Sequence, residues 1–302
     1  MRCRFTWFAA GLLALVLAVP FVQARAGSPA QAATPGPTAQ SDRWALVVGV
    51  TDYAGRTAST AAGAADAADF REALLRNGFP SDHILTLTER QATGAGIRSG
   101  LRWLVDHSSP NAFSVFHYSG HVKQLSGDRD HDGEKVDEYL WGSDNVLLAD
   151  AELADAARSL RGLAWVDIAG CEGAGFDDGI SAPNRLFTAS SRETEKSYEH
   201  PGWNNSVFTG LEIDQAFLQG MGDGDGNGKV SIQEAFAFAS DRAPQVTARQ
   251  RRGAQHPVGA GGDGPEWFLD GPPPPPPPPP SPPPASEPSP EGPSCSTVIC
   301  WG

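Results

Sequence analysis

The chain has 302 residues, of which 40% are hydrophobic, and its 36 Asp and Glu against 23 Lys and Arg give a formal net charge of −13. This length supports one sizeable core with appendages. The acidic balance argues against nucleic acid as a partner, so we expect none, and it is typical of a well-solvated surface.

The first 26 residues have the pattern of a secretory signal peptide. Arg2 and Arg4 precede an apolar stretch, residues 5–22, and small residues follow at Ala24 and Ala26. An uncleaved single-span anchor is the alternative, because the stretch approaches the length that crosses a bilayer. The small-residue exit favours cleavage. We therefore expect a secreted or cell-surface protein with no membrane span after the signal is removed.

Strands and helices are predicted to alternate through residues 43–270, after a disordered leader over residues 27–42. Apolar runs predict strands at 44–50, 84–87, 112–119, 163–168 and 185–189, and helical periodicity predicts helices at 64–77, 97–105 and 153–160. This alternation indicates an α/β domain with a mostly parallel sheet and helices on both faces. In such sheets the ligand crevice lies beyond the carboxyl ends of the strands.

A proline-rich linker, residues 271–293, follows the predicted domain and leads to a short Cys-containing tail, residues 294–302. Such a run forms a stiff polyproline II spacer. A proline-reading partner is the alternative to a plain spacer, and the tail is a candidate for cell-wall or surface association. Cys295 and Cys300 are a candidate disulfide in this tail, which leaves Cys171 as an unpaired thiol in the domain.

Two of the predicted strands end in residues suited to nucleophilic catalysis. The strand at 112–119 is followed by Gly120 and His121, and the strand at 163–168 is followed by a small-residue loop with Cys171. Neighbouring strand ends would hold a cysteine nucleophile beside its base. His117 is a rival base, but it lies within its strand, so we expect it to be packed behind the site.

These motifs resemble the caspase-like cysteine peptidases of the metacaspase and bacterial orthocaspase type. The resemblance covers residues 43–270, and the segments that carry it are 44–53, 117–121, 167–176, 186–191, 195–199, 255–257 and 267–269. It implies a three-layer sandwich that hydrolyses peptide bonds in protein or peptide substrates through a thioacyl intermediate. It also implies that Cys171 is the nucleophile and His121 the base, with the backbone N–H groups of Gly120, Val122 and Cys171 around the oxyanion.

Two residues depart from the family pattern. Val122 stands where the family usually has glycine after the histidine. Ala169 stands two residues before the cysteine, where metacaspase-type members carry an acid that helps to bind a basic substrate side chain, and the nearby Asp167 is expected to point elsewhere. Two other readings therefore remain: an inactive caspase-like protein that acts as a calcium-dependent binding or scaffold module, and another His–Cys hydrolase such as an asparaginyl-type peptidase.

Residues 223–234 match the EF-hand calcium loop at the positions that supply ligands. The predicted calcium ligands are Asp223, Asp225, Asn227, the Lys229 carbonyl, Ser231 and a bidentate Glu234. Gly228 allows the sharp turn, and helical segments are predicted on both sides, at 206–218 and 232–240. We expect one Ca²⁺ that is structural or regulatory, because a cation bound by oxygens would not activate a thiolate.

A second acidic loop begins in the same way, with Asp128, Asp130 and Asp132 at alternate positions. Its twelfth position is Tyr139, so the bidentate carboxylate of an EF-hand is missing. The loop is predicted to be either a solvated turn or a weak second calcium or substrate-contact site.

Overall fold

The computed structural model describes residues 42–129, 133, 135–250 and 253–270. The predicted signal peptide, all of the predicted leader but residue 42, the proline-rich linker and the tail with Cys295 and Cys300 lie outside these residues, as do Asp130 and Asp132. No described helix combines the length and the apolar character that a membrane crossing requires.

The described residues form nine strands and five helices. The strands are β1 (Arg43–Gly49), β2 (Ile84–Thr88), β3 (Phe113–Ser119), β4 (Val122–Ser126), β5 (Val136–Trp141), β6 (Leu147–Ala149), β7 (Leu163–Ala169), β8 (Arg185–Ala189) and β9 (Val258–Gly261). The helices are α1 (Gly63–Arg76), α2 (Gly94–His107), α3 (Asp150–Ser159), α4 (Val207–Thr209), which continues as a π-helix (Gly210–Leu218), and α5 (Ile232–Arg249). Short 3₁₀ turns lie at Ser81–His83, Glu89–Gln91 and Gly173–Phe176.

The central sheet has the order β2-β1-β3-β7-β8-β9, and its strands are parallel except for β9. Every residue of β3 and β7 is buried. This burial follows from helices on both faces, which require near-continuous apolar runs in the strands. The predicted α/β class with a mostly parallel sheet is therefore confirmed, and the two helical layers around the sheet make it a three-layer sandwich.

The two faces of the sheet bury different cores. Helices α2 and α3 cover one face, where Phe116 and Val166 lie among the fully buried side chains. Helix α1 and the π-helix cover the other face, where Phe70 packs on Trp165 with ring centroids 5.1 Å apart. Because side chains alternate along a strand, successive residues of β3 serve opposite cores.

Four parts of the chain differ from the sequence prediction. Strands β4, β5 and β6 form a separate antiparallel sheet that no strand prediction anticipated, because polar residues such as the exposed Lys123 and the half-buried Gln124 gave no apolar run. Strand β9 has the sequence Val-Gly-Ala-Gly, which also carries no strand signal. Helix α5 continues past the predicted end at residue 240, and residues 210–218 are π-helical.

A polar cluster is buried beneath the sheet on the α1 face. His117 is fully buried, and its Nδ1 lies 2.7 Å from Asp167 Oδ2, while Thr188 Oγ1 donates to Asp167 Oδ1 at 2.6 Å. Glu212 is also fully buried against Asp167. Burial, together with the negative charge of Asp167, raises the pKa of Glu212 well above its usual value. The side chains of His117 and Asp167 are thus buried between the sheet and α1, away from the carboxyl ends of the strands, as expected from their positions within β3 and β7.

We expect Glu212→Gln to change the pH dependence of stability. Between the ordinary pKa of a glutamate and the raised pKa of Glu212, the folded chain holds a proton that the unfolded chain has released. The free energy of unfolding of the wild type therefore falls as pH rises through this interval, by up to about 1.4 kcal/mol per pH unit. The glutamine variant should lack this fall.

Urea unfolding at several pH values between 5 and 8 measures the effect, with Glu193→Gln, which changes an exposed side chain, as the matched control. Parallel pH profiles for the two variants would show that Glu212 is ionised in the folded protein.

Candidate active site

The parallel pairing of β3 with β7 places the predicted histidine and cysteine at the same edge of the sheet. The last paired positions are Ser119 and Ala169, and the Gly120 N–H donates to the Ala169 carbonyl at 3.3 Å. His121 and Cys171 each follow two residues after this pair. Both side chains line one cleft of about 220 Å³, together with residues of the segments 59–63 and 197–199.

The His121 ring is held in one tautomer. Its Nε2 lies 2.8 Å from the Ala58 carbonyl oxygen, which only accepts hydrogen bonds, so Nε2 carries the proton. The lone pair of the neutral ring is therefore on Nδ1. The Tyr53 ring lies against the imidazole with centroids 4.8 Å apart.

The backbone of His121 is held by two tyrosines. Its N–H donates to the Tyr53 hydroxyl at 2.7 Å, and the Tyr118 hydroxyl donates to its carbonyl at 2.6 Å. Burial raises the pKa of Tyr53 to about 12, so this hydroxyl is neutral at physiological pH. Sequence analysis did not identify these tyrosines as site residues, although both lie in segments that carry the family resemblance.

Cys171 is a free, half-buried thiol. Its Sγ lies 3.7 Å from the Ser197 carbonyl oxygen, to which the thiol donates. Burial raises the pKa of the Cys171 thiol, and the negative charge of Glu172 adds to this effect. The resting thiol is therefore protonated at neutral pH and requires a base before it attacks.

Two serines after β8 hold the turn that carries Cys171. Ser190 Oγ accepts from the Gly170 N–H at 3.0 Å and donates to the Gly170 carbonyl at 2.7 Å. Ser191 Oγ accepts from the Gly173 N–H at 3.3 Å. Because β8 is parallel to β7, both serines lie at the same sheet edge as the cysteine. That position is the signal by which the sequence could have identified them.

One of the three predicted oxyanion donors is corrected. The Gly120 N–H is already bonded to Ala169, so it is not available to a substrate. The Val122 N–H remains available. In an antiparallel ladder, hydrogen-bonded pairs alternate with pairs whose N–H groups point away from each other. The Trp141 N–H bonds to the His121 carbonyl, so the next pair, Val122 with Leu140, is of the second kind.

Val122 also tolerates its position without the freedom of glycine. Among the described residues, positive φ occurs outside glycine at Glu89, Asn145 and Glu172, and not at Val122. The turn before Cys171 approaches Val122 closely, and there the glycine is Gly170. A Cβ at Gly170 would lie 2.7 Å from Val122 Cγ2. The departure from the family pattern therefore leaves the backbone geometry intact.

The acids at the cleft are not where the family pattern would place them. Ala169 lines the cleft, and among the described residues that line it the acid is Glu199. Asp66 is fully buried behind the wall, where its carboxylate accepts from Ser119 Oγ at 2.7 Å and from the Ser206 N–H at 3.0 Å. Burial raises the pKa of Asp66. Neither acid was identified from the sequence.

The predicted calcium loop is folded so that its carboxylates converge. Oxygens of Asp223, Asp225 and Glu234 lie within 4.8 Å of one another. Asp223 Oδ2 accepts from the Gly228 N–H at 3.0 Å, and Gly228 has a φ of 85°, which glycine adopts at little cost. Glu234 Oε2 accepts from the Ser231 N–H at 2.9 Å in a capping box that begins α5. Of the second acidic loop, the structure describes Asp128, which is exposed.

Comparisons with known proteins agree with this geometry. A family model described as "Caspase domain" matches residues 42–258. Metacaspase-3 of Arabidopsis thaliana is 35% identical over 120 residues, which are 37% of this chain and 31% of that protein. Metacaspase-1 of Cryptococcus neoformans var. neoformans is 33% identical over 127 residues, 40% of this chain and 27% of that protein. The matches thus span about a third or less of the length of these curated relatives.

A solved structure has the same fold. The crystal structure of protein GSU0716 from Geobacter sulfurreducens superposes with a TM-score of 0.57 and 18% identity, covering 74% of this chain and 95% of that one. At this identity the likeness concerns the fold alone. The family match covers most of the sandwich and both strand ends that carry His121 and Cys171. The chain belongs to the caspase domain family, and its curated relatives are metacaspases.

Proposed function

We propose that the protein is a cysteine endopeptidase in which Cys171 is the nucleophile and His121 the general base. The observation that carries the proposal is the shared cleft, in which a free thiol lies with a histidine whose proton is held on Nε2 by Ala58. A protonated thiol needs such a base, and an imidazole with its lone pair on Nδ1 supplies one.

In the proposed reaction, His121 Nδ1 takes the thiol proton as Sγ bonds to the scissile carbonyl carbon. The C–N bond then breaks, and the proton on Nδ1 passes to the leaving amine. A water molecule, deprotonated by the same nitrogen, attacks the thioester and releases the acid and the free thiol. The hydrogen bond from Nε2 to Ala58 stabilises the imidazolium that forms in each half of the cycle.

The N–H groups of Val122 and Cys171 are proposed to bind the oxyanion. Both residues follow the paired strand ends, and the Gly120 N–H is engaged within the sheet. Backbone donors that are already oriented cost no reorganisation as negative charge develops on the carbonyl oxygen.

We propose that substrates carry a basic side chain next to the scissile bond. Glu199 supports this, because it lines the same cleft as Ala169, the position at which the family pattern has an acid. Its Oε1 accepts from the Ala62 N–H at 2.8 Å, and among the described residues its Oε2 has no hydrogen-bond partner. A carboxylate held in place with one free oxygen suits a guanidinium or ammonium group.

We expect Glu199→Gln to lower kcat/KM for substrates with Arg or Lys before the cleaved bond by about tenfold or more, because a charged hydrogen bond contributes about 1.5–3 kcal/mol. The amide retains an oxygen for the Ala61 and Ala62 N–H groups. Cleavage of a peptide library measures the preference, with Glu193→Gln as the control. An unchanged preference in Glu199→Gln would exclude Glu199 as the specificity residue, and cleavage after asparagine would favour the asparaginyl-type reading.

We expect a thiol-reactive peptide probe, such as a peptidyl acyloxymethyl ketone, to label Cys171 rapidly. Labelling and peptide hydrolysis should fall by at least about a hundredfold in His121→Ala, because general-base catalysis contributes on that order. Intact-mass measurement against time gives the rate, and His107→Ala, which changes an exposed histidine, is the control. Slow labelling that does not depend on His121 would support the non-enzymatic scaffold instead.

We propose that residues 223–234 bind a structural or regulatory Ca²⁺. The converging carboxylates of Asp223, Asp225 and Glu234 support this, and the donor set of oxygens suits a hard cation. Asn227, the Lys229 carbonyl and Ser231 would complete the site, and the bound ion would supply charge that holds the loop to the first turn of α5. Because the N-terminal pattern predicts export, we expect the affinity of an extracellular calcium module, with a dissociation constant of about 10⁻⁴–10⁻³ M.

We expect saturating Ca²⁺ to raise the unfolding temperature of the wild type. At a free Ca²⁺ concentration of a hundred times the dissociation constant, the free energy of unfolding should rise by about 2.7 kcal/mol. Glu234→Gln should abolish the calcium-dependent part, because a neutral amide cannot act as a bidentate anion. Glutamine still completes a capping box, so α5 should still begin at Ser231, while the Gly224 and Asp225 N–H groups lose the acceptor that Glu234 Oε1 provides and the stability without calcium should fall somewhat. Thermal unfolding with calcium or chelator measures both, with Asp241→Asn on α5 as control. Equal calcium responses in both variants would contradict the proposed site.

A further inference from the structure

Three successive residues contact the turn that carries the nucleophile. The Glu195 carbonyl accepts from the Glu172 N–H at 2.8 Å, the Lys196 ammonium is paired with the Glu172 carboxylate, and the Ser197 carbonyl accepts from the Cys171 thiol at 3.7 Å. We call residues 195–197 the latch segment. Because each of its residues meets Cys171 or Glu172, its position determines the surroundings of the thiol.

Glu172 is an unusual residue to follow a nucleophile. Its φ of 53° and ψ of 23° lie in the left-handed region, which is strained for any residue with a side chain. Its side chain is 6% exposed, so its carboxylate is buried one residue from the thiol. A buried carboxylate without a partner is costly, and its negative charge also disfavours a thiolate beside it.

Lys196 supplies the partner that Glu172 requires. Its ammonium contacts Glu172 Oε1, although the lysine side chain itself is 64% exposed. The effects of these two residues on the Cys171 thiol have opposite signs, since Glu172 raises the pKa of the thiol and Lys196 lowers it. The two charges therefore oppose each other at the thiol, whereas either charge alone would act on it unopposed.

The latch segment is held in place from the side away from the thiol. Gln255 is fully buried, and its side chain accepts from the Tyr198 N–H at 3.0 Å and donates to the Ser190 carbonyl at 3.1 Å. The N–H of His256 donates to the Glu195 carboxylate at 2.8 Å. These bonds fix the backbone of the latch segment. Pairing with Glu172 therefore costs only the conformational freedom of the Lys196 side chain.

Other charged or titratable groups also surround the thiol. Those near Cys171 are His121 and Glu199 in the cleft, Tyr198 and Glu195 on the loop, and His256 behind Glu195. The Glu172 carboxylate itself is paired with the Lys196 ammonium.

We propose that Lys196 is a positioning residue that acts on Cys171 through Glu172: its ammonium pairs with the buried Glu172 carboxylate and cancels the negative charge beside the thiolate. The inference deepens the proposed peptidase function and rests on it for its biological meaning. The chemistry at the thiol is testable without any substrate.

Four variants separate the electrostatic role from packing alone: Lys196→Met, Glu172→Gln, the double variant, and Lys123→Met as a control that removes an exposed lysine elsewhere. The rate of Cys171 alkylation by iodoacetamide is measured from pH 5 to 10, because the thiolate is the reacting species. We expect Lys196→Met to react about three- to tenfold more slowly at pH 7, with its pH midpoint moved upward.

Glu172→Gln should react at least as fast as the wild type, because the cation remains and the anion is gone. The double variant should return to within about twofold of the wild-type rate. A packing role alone would slow both single variants alike and leave the double variant slow, and that result would overturn the proposal, as would a Lys196→Met rate equal to that of the control. Lys196→Gln gives the same comparison if the methionine variant does not fold.

The same measurement distinguishes this inference from the proposed function. If alkylation of the wild type is slow and His121→Ala does not change it, the dyad fails, whatever Lys196 does. If wild-type alkylation is fast and depends on His121 while Lys196→Met has no effect, the positioning role fails and the dyad stands.

Discussion

The parallel register of β3 on β7 is the constraint on which the site depends. Ser119 pairs with Ala169 at the end of both strands, so the two chains leave the sheet side by side and deliver His121 and Cys171 after the same number of residues. A slip of one residue would turn every side chain of a strand to the other face. It would place Phe116 against α1 and His117 against α2, and both cores would lose their packing. The energetic cost of that slip is what holds the histidine and the cysteine in one cleft.

Much of this arrangement follows from local patterns in the sequence. Buried parallel strands are mostly apolar, so β1, β3 and β7 were predictable from their apolar runs. The rule that sites lie at the carboxyl ends of strands then pointed to His121 and Cys171. The hairpin of β4 and β5 was not visible, because one of its faces is polar and its strands are specified by each other rather than by the core. The predicted Gly120 donor was wrong for a similar reason. Which N–H groups are free depends on the hydrogen bonds between strands, and these cannot be predicted from one strand alone.

The residues that support the site come from distant parts of the chain. Tyr53 holds the His121 N–H, Ser190 holds Gly170, and Gln255 holds the loop beside Cys171. Each of these contacts joins residues that are far apart in sequence, and each side chain taken alone has many ordinary roles. Polar side chains at the ends of neighbouring strands indicated that a site lies there, but the groups to which they bond could be identified only in the folded chain. The same limit applied to Glu199, whose place in the cleft depends on the folded chain.

The central claim is that Cys171 and His121 act together on a peptide carbonyl, and a crystal structure of the protein with a peptide aldehyde tests it most directly. An aldehyde adds to a catalytic cysteine and forms a thiohemiacetal, whose oxygen occupies the position of the oxyanion. We predict a covalent bond from Cys171 Sγ, with that oxygen within hydrogen-bond distance of the Val122 and Cys171 N–H groups, or of His121 Nδ1 if the adduct forms in the opposite hand. An unmodified Cys171 in crystals that are saturated with aldehyde, or an adduct whose oxygen contacts none of these groups, would contradict the account.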